Sequence, residues 1–208
     1  MARIAAARVR RIISWSEAHY WYEMRFSGGP DEGVPSPWRL EKARPDQLVL
    51  VEQLGRSELT AREFSARGHD LWLALSDDGP PAFGCWIHRT EAPMLGAPGG
   101  WLVLPDGIVC LEDSVTGESA RGRGIAPAAW RSIATKLSDE GLKSMITKVA
   151  VDNAPANRAV TKSGFEQIAV MRLRRSLGRT TITVEPDPTP AVPAALALQQ
   201  ALQTRSAG

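Results

Sequence analysis

The stretch from Ile108 to Val151 most constrains what this chain can fold into, because its hydrophobic period changes twice. Ile108 to Val115 reads as a strand. Ala126, Ala129, Trp130, Ile133, Ala134 and Leu137 then fall along one helical face, and Gly141 ends that helix. Ser144 to Val151 follows as a nearly continuous apolar run, the pattern of a strand buried in parallel pairing. These elements set an α/β architecture around which the rest must fit.

The flanking segments alternate between strand and helix signals. Trp38 to Ala43 reads as a short strand. Pro45-Asp46 opens a helix carrying Leu48, Leu50, Val51 and Leu54, with Gly55 as its stop, and Ser57 begins a second. Asp70–Ser76 and Ala82–His88 form a predicted hairpin through Asp78-Gly79-Pro80. A second is expected between Trp101–Leu104 and Ile108–Val115. Pro155 to Ser163 is a short helix stopped by Gly164. Phe165–Leu173 and Thr180–Val184 make a last hairpin through Gly178. The predicted fold is α/β (α+β): a mixed, mostly antiparallel central sheet with helices on both faces.

Three regions follow from composition shifts. Residues 1–37 hold an Arg-rich, acid-poor segment of helical spacing (Ala2–Trp15), read as a short amphipathic helix on the domain or a membrane surface in preference to an organelle transit peptide, then an aromatic strand (Ala18–Phe26) expected to pack on the domain or on a second subunit, and a Gly/Pro loop. Residues 38–185 form the domain. Residues 186–208 begin with Pro186, Pro188, Pro190 and Pro193 and read as a flexible tail. Across 208 residues, 25 basic side chains face 23 acidic ones, too even a balance for a nucleic-acid partner. The 43% hydrophobic content suffices for a core, and no apolar run approaches membrane-spanning length. Two cysteines, Cys85 and Cys110, make no disulfide framework, and three scattered histidines make no zinc spacing, so no metal is expected. A soluble, cytoplasmic protein is the expectation.

Arg121-Gly-Arg-Gly-Ile-Ala126 carries the chemistry. It follows a strand and opens a helix. Its glycines allow a tight turn whose N–H groups converge, and the helix dipole adds positive potential: a phosphate cradle. A dinucleotide fingerprint needs a third glycine where Pro127 stands, and a P-loop needs Gly-Lys-Ser/Thr. Neither fits.

With Arg121, Gly124 and Ala126 in its three slots, the segment resembles the Arg/Gln-x-x-Gly-x-Gly/Ala signature of the GNAT N-acetyltransferase superfamily. Asn153, Ala156, Lys162, Gly164 and Phe165 match that family's second motif, and the element order from Trp38 to Val184 is similar. The resemblance implies the acyl-CoA N-acyltransferase fold and acetyl-CoA (coenzyme A) as cosubstrate. It implies that the strands before and after the helix splay apart around the pantetheine arm. Cofactor contacts are then expected from Ser114, Val115 and Thr116, from Arg121, Gly122, Arg123, Gly124, Ile125 and Ala126, and from Asn153 and Asn157. Counted from Val115, the run to Arg121 is one residue long and lacks the usual proline, which predicts a bulge or looser loop. Val160 stands where the family often has a tyrosine acid.

The implied reaction moves an acetyl group to a primary amine, in a small molecule or a peptide, by direct attack on the thioester. The alternative is a non-enzymatic acyl-CoA-binding or regulatory module; a homodimer is compatible with either. A thiolate resembling Cys leaves without a proton more readily than an alkylammonium attacks. Supplying neutral amine at pH 7 costs about 3.4 pK units, or roughly 4.6 kcal/mol, so a base matters more than an acid. Glu112 and Asp113 are the base candidates, and strand alternation predicts that at most one, preferentially Glu112, faces the cleft. His88 reads as a strand-end surface residue, both cysteines as buried and inert, and Arg172 to Arg175 as a solvated face or a patch for an acidic substrate.

Overall fold

The computed structural model describes residues 14–93, 101–176 and 179–186. Ten strands and three α-helices follow in order. β1 is Ser14–Arg25, β2 Arg39–Lys42, α1 Glu58–Ala66, β3 Asp70–Leu75, β4 Phe83–His88, β5 Glu91–Pro93, β6 Trp101–Val103 and β7 Ile108–Thr116. α2 is Ile125–Asp139, β8 Ser144–Ala150, α3 Ala154–Lys162, β9 Glu166–Ser176 and β10 Arg179–Pro186. Eight strands form one sheet in the order β10-β9-β1-β8-β7-β4-β3-β2, and β5 and β6 form a separate pair. Among the described strands only β7 and β8 run parallel; the other pairs are antiparallel, as expected. No described helix is long and apolar enough to cross a membrane.

The core lies in three parts. Val109, Leu111, Met145 and Val149 face Ile125, Ala129, Trp130, Ile133 and Leu137 of α2. On the opposite sheet face, Leu48, Val51, Leu54 and Ala61 cover Leu71, Leu73 and Trp86. Beside them, Trp21, Cys110, Ile146, Met171 and Leu173 pack with Ala92 and Leu102 of the β5–β6 pair. Helical elements thus cover both faces. Pro45–Leu54 is a 3₁₀ helix rather than an α-helix, ended by Gly55 at φ 71°, the left-handed conformation glycine adopts freely.

β1 is an interior strand. It pairs with β8 through His19↔Ala150 to Arg25↔Ser144 and with β9 on its other edge. Trp21 is buried toward one face and Tyr22 and Met24 toward the other, so consecutive large side chains are satisfied only by burial on both sides. Met1 to Ile13, the greater part of the expected Arg-rich helix, lie outside the described residues; from Ser14 the chain is strand. The tail beyond Pro186 also lies outside them.

One expected hairpin does not form. β6 pairs with β5, not with β7. Both edges of β7 are taken, by β4 and by β8, which leaves no donors or acceptors for Trp101–Val103.

Candidate active site

The parallel ladder between β7 and β8 runs from Ile108↔Ser144 to Leu111↔Thr147 and stops. The Thr147 hydroxyl donates to the Leu111 carbonyl at 2.8 Å and closes the last rung. Beyond it β7 continues to Thr116 against β4, while β8 continues to Ala150 against β1. A cleft of about 410 Å³ fills the gap. Ala126, Trp130, Asn153, Ala156 and Val160 line it on the side of α2 and α3; His19, Glu112 and Lys148 line it from β1, β7 and β8.

A bulge shapes the wall on β7. The β4–β7 register shifts between Gly84↔Val115 and Trp86↔Glu112, and Asp113 sits there at φ 50°. Strand alternation is broken at that residue. Glu112 and Asp113 therefore both line the cleft, contrary to the expectation that only one could. The irregularity expected after Val115 lies here, two residues earlier, and a short 3₁₀ turn over Glu118–Ala120 takes up the remaining length.

The glycine turn follows. Ala120 and Ile125 are buried and anchor it at either end. Between them Gly122 and Gly124 have φ of 76° and 72°, and a Cβ on either would meet nothing within 4 Å. Among the described residues, the N–H groups of Gly122, Arg123, Gly124, Ile125 and Ala126 enter no loop or cap backbone hydrogen bond, and Gly124 caps α2 without a side-chain bond. These are orphan donors at a helix N-terminus. Arg121 to Gly124 are exposed at the approach to the cleft, and Ala126 carries the turn onto its wall. The Arg123 guanidinium lies 5.5 Å from the centre of the Trp38 ring.

The other expected contacts divide. Ser114 and Thr116 line the cleft, and Ser114 Oγ accepts from Trp130 Nε1 at 3.1 Å. Val115 instead packs toward the 3₁₀ helix. Asn153 lines the cleft and caps α3, accepting from Ala156 N at 3.2 Å. Asn157 is off the wall: its amide accepts from Tyr22 Oη at 2.9 Å and donates to the Ala150 carbonyl at 3.0 Å, tying β1, β8 and α3 together. Burial raises the Tyr22 hydroxyl pKa.

Both candidate bases hold a cation. Glu112 Oε1 lies 2.5 Å from Lys148 Nζ, with side chains 15% and 8% exposed, and Lys148 also donates to the Pro93 carbonyl at 2.8 Å. Asp113 Oδ1 lies 2.7 Å from Arg56 Nε. Burial raises the Asp113 carboxyl, and Arg56 opposes that shift. Two groups escaped the sequence reading. His19 Nε2 lies 2.9 Å from Glu17 Oε1, and its Nδ1 is buried without a partner among the described residues. Alternation along β1 puts Glu17, His19 and Trp21 on one face, which was the available signal.

His88 is not a surface residue. It is fully buried, its ring 4.3 Å from that of His69 and 5.1 Å from Phe64. Burial, then His69 and Lys148, lower its pKa to about 3. Cys85 and Cys110 are buried with thiols pushed up by desolvation, which leaves them inert. Arg172 and Arg174 are exposed.

The model of the acetyltransferase (GNAT) family matches residues 40–165. A search of curated proteins finds no match. Among solved structures, the chain is similar to a GCN5-related N-acetyltransferase from Sphaerobacter thermophilus, with TM-score 0.55 and 14% identity, over 91% of this chain and 58% of that one. It is similar also to an acetyltransferase from the GNAT family from Colwellia psychrerythraea, with TM-score 0.51 and 16% identity, over 89% and 62%. The chain spans less than two thirds of either structure's length. At these identities the likeness shows a shared fold. The family match extends over more than half of the sequence and contains both the glycine turn and the Asn153–Phe165 segment, so this chain belongs to the acetyltransferase (GNAT) family.

Proposed function

We propose that the protein transfers an acyl group, acetyl in the first instance, from coenzyme A to a primary amine. One observation carries this reading: the parallel strands part beyond Leu111 and Thr147 beside a turn whose N–H groups lack backbone partners among the described residues. Unpaired donors at the N-terminus of α2 suit a pyrophosphate. The parted strand ends suit the extended arm behind it, since the unladdered part of β7 offers backbone groups toward the gap. Arg121 and Arg123 add positive charge at the approach without filling it.

The amine then enters from the face that carries Glu112, Lys148 and His19. Its nitrogen, once deprotonated to the free amine, attacks the thioester carbonyl carbon, the C–S bond breaks, and the sulfur departs as thiolate with the electron pair and takes up the amine's second proton. Glu112 and Asp113 are proposed to act at this acceptor end. Each carboxylate already neutralises a cation, so each contributes charge that guides and holds an incoming ammonium, exchanging Lys148 or Arg56 for it. No described tyrosine lines the cleft, and Val160 fills the position facing it with an apolar side chain. Departure of the thiolate without a protein acid is consistent with its low basicity.

Acetyl-CoA supplied with amino sugars, polyamines, amino acids and peptide N-termini, monitored for free thiol, tests the reading. Amine-dependent thiol release is expected. Calorimetric binding of coenzyme A without release under any amine indicates a binding or regulatory module instead.

A further inference from the structure

We infer that His19 is the general base that deprotonates the acceptor amine, oriented by Glu17; the assignment rests on the acyl-transfer reading above. Three observations converge. The imidazole lines the cleft from β1, on the wall that also holds Glu112 and Lys148. Its Nε2 is 2.9 Å from Glu17 Oε1. Its Nδ1 is buried and has no hydrogen-bond partner among the described residues.

The carboxylate sets the tautomer. Glu17 can only accept, so Nε2 bears the hydrogen and Nδ1 bears the lone pair. A buried acceptor without a donor is costly, and among the described residues with such an atom His19 is the one that lines the cleft. Nδ1 is closed to solvent in this structure, so the ring must tilt to present it to a group entering the cleft, where an ammonium offers the missing N–H bonds. The remaining titratable wall groups compare poorly. Glu112 holds Lys148 and Asp113 holds Arg56, so either must first release a cation.

The charges around the ring suit the role. Burial lowers its pKa most; Glu17, Glu112 and Asp152 raise it, and Lys148 lowers it. The net shift is downward from 6.5, so the ring is neutral and able to accept at pH 7. The proton balance closes. His19 Nδ1 takes one proton from R–NH₃⁺ and leaves R–NH₂. The amine forms the C–N bond and the C–S bond breaks. The second amine proton ends on the departing thiolate, and His19 returns its own to water. Glu17 stabilises the imidazolium between those steps and acts only through the ring, as a positioning residue.

His19→Gln keeps a polar side chain on β1 and removes the basic nitrogen. With the amine that gives the fastest thiol release, kcat/KM should fall ~10²–10⁴-fold, the scale of a lost general base. The deficit should shrink toward pH 10, where an alkylamine of pKa about 10.4 is increasingly neutral unaided. Coenzyme A affinity and thermal midpoint should stay near wild type. Glu17→Gln should cost less and move the acid limb of the pH–rate profile to lower pH, a shift that loss of structure alone does not produce. A His19→Gln protein with wild-type kcat/KM and an unmoved acid limb overturns the assignment to His19 and leaves acyl transfer standing. A wild-type protein that binds coenzyme A and releases no thiol with any amine overturns the transfer reading itself, and the base assignment with it.

Discussion

His88 makes stability against pH the most revealing measurement on this fold. Its ring is fully buried on β4, flanked by His69, Phe64 and Trp101, with neither nitrogen hydrogen-bonded among the described residues. The folded-state pKa of about 3 lies below the ordinary 6.5 because burial penalises the cation first, and His69 and Lys148 add to that. Below pH 6.5 the unfolded chain therefore binds a proton that the folded chain refuses. Stability is full above pH 6.5 and falls as pH drops from there toward 3. The slope approaches 1.36 kcal/mol per pH unit below pH 6, so His88 alone should remove about 2 kcal/mol between pH 7.5 and 5. His69 and His19, also shifted downward, steepen the same window. Asp31, held below the usual carboxylate range mainly by Lys136 and Ser132 against the opposing effect of burial, acts only below about pH 4 and does not confuse it. Urea unfolding at half-unit steps from pH 7.5 to 5 gives the profile, with the m-value as a check on two-state behaviour. His88→Leu keeps an apolar volume and removes the titration. Its stability should match wild type within about 1.5 kcal/mol at pH 7.5 and lose about 2 kcal/mol less on acidification. Parallel curves for the two proteins would refute the buried, neutral assignment.

Gly124→Asp should abolish most coenzyme A binding by calorimetry while the protein stays folded, since a Cβ there meets no atom, Asp is among the side chains that best tolerate the left-handed φ of 72°, and its carboxylate adds negative charge at the cradle; unchanged affinity would remove the cradle from the site. Lys148→Met strands the Glu112 carboxylate and should cost ~3–5 kcal/mol in urea unfolding, and adding Glu112→Gln should recover most of it. Equal losses in single and double variants would show that the pair is not coupled. Tyr22→Phe deletes the hydrogen bond to Asn157 and should cost roughly 1 kcal/mol, read as a shift in midpoint at constant m. Removing Met1 to Phe26 takes an interior strand from the sheet and should leave no cooperative thermal transition, checked by calorimetry.

What could be read from the sequence was local. The change from strand to helix to buried strand between Ile108 and Val151 needs no distant partner to be recognised, and β7, α2 and β8 follow it. Gly122 and Gly124 announce a turn because their φ values near 75° suit glycine best, and the structure puts both there. Non-local pairing was another matter. Trp101–Val103 lies next to β7 in sequence, yet pairs with Glu91–Pro93, because β4 and β8 saturate β7 from both sides. The burial of His88 depends on Phe64 and Trp101 arriving from other elements. The bulge at Asp113, which turns both acids into the cleft, has no local sequence mark, because Asp tolerates the left-handed region without announcing it.

β1 joins these two lessons. Tyr20-Trp-Tyr22 is a strand by composition, and three successive aromatics cannot sit on a half-exposed strand without leaving one in water. That argues for burial on both faces, yet it does not name the neighbours, which lie more than a hundred residues away in β8 and β9. Their register decides whether the cleft gains a base. A slip of one residue would turn His19 to the other face and bring its neighbours in its place. The pairing shows how the slip is avoided. Toward β9 the register shifts between Trp21 and Tyr22, so Trp21 meets Ala169 while Tyr22 meets Gln167. Toward β8 it is unbroken from His19↔Ala150 to Arg25↔Ser144. The irregularity is absorbed on the edge away from the fork, and His19 keeps its place on the edge that faces it.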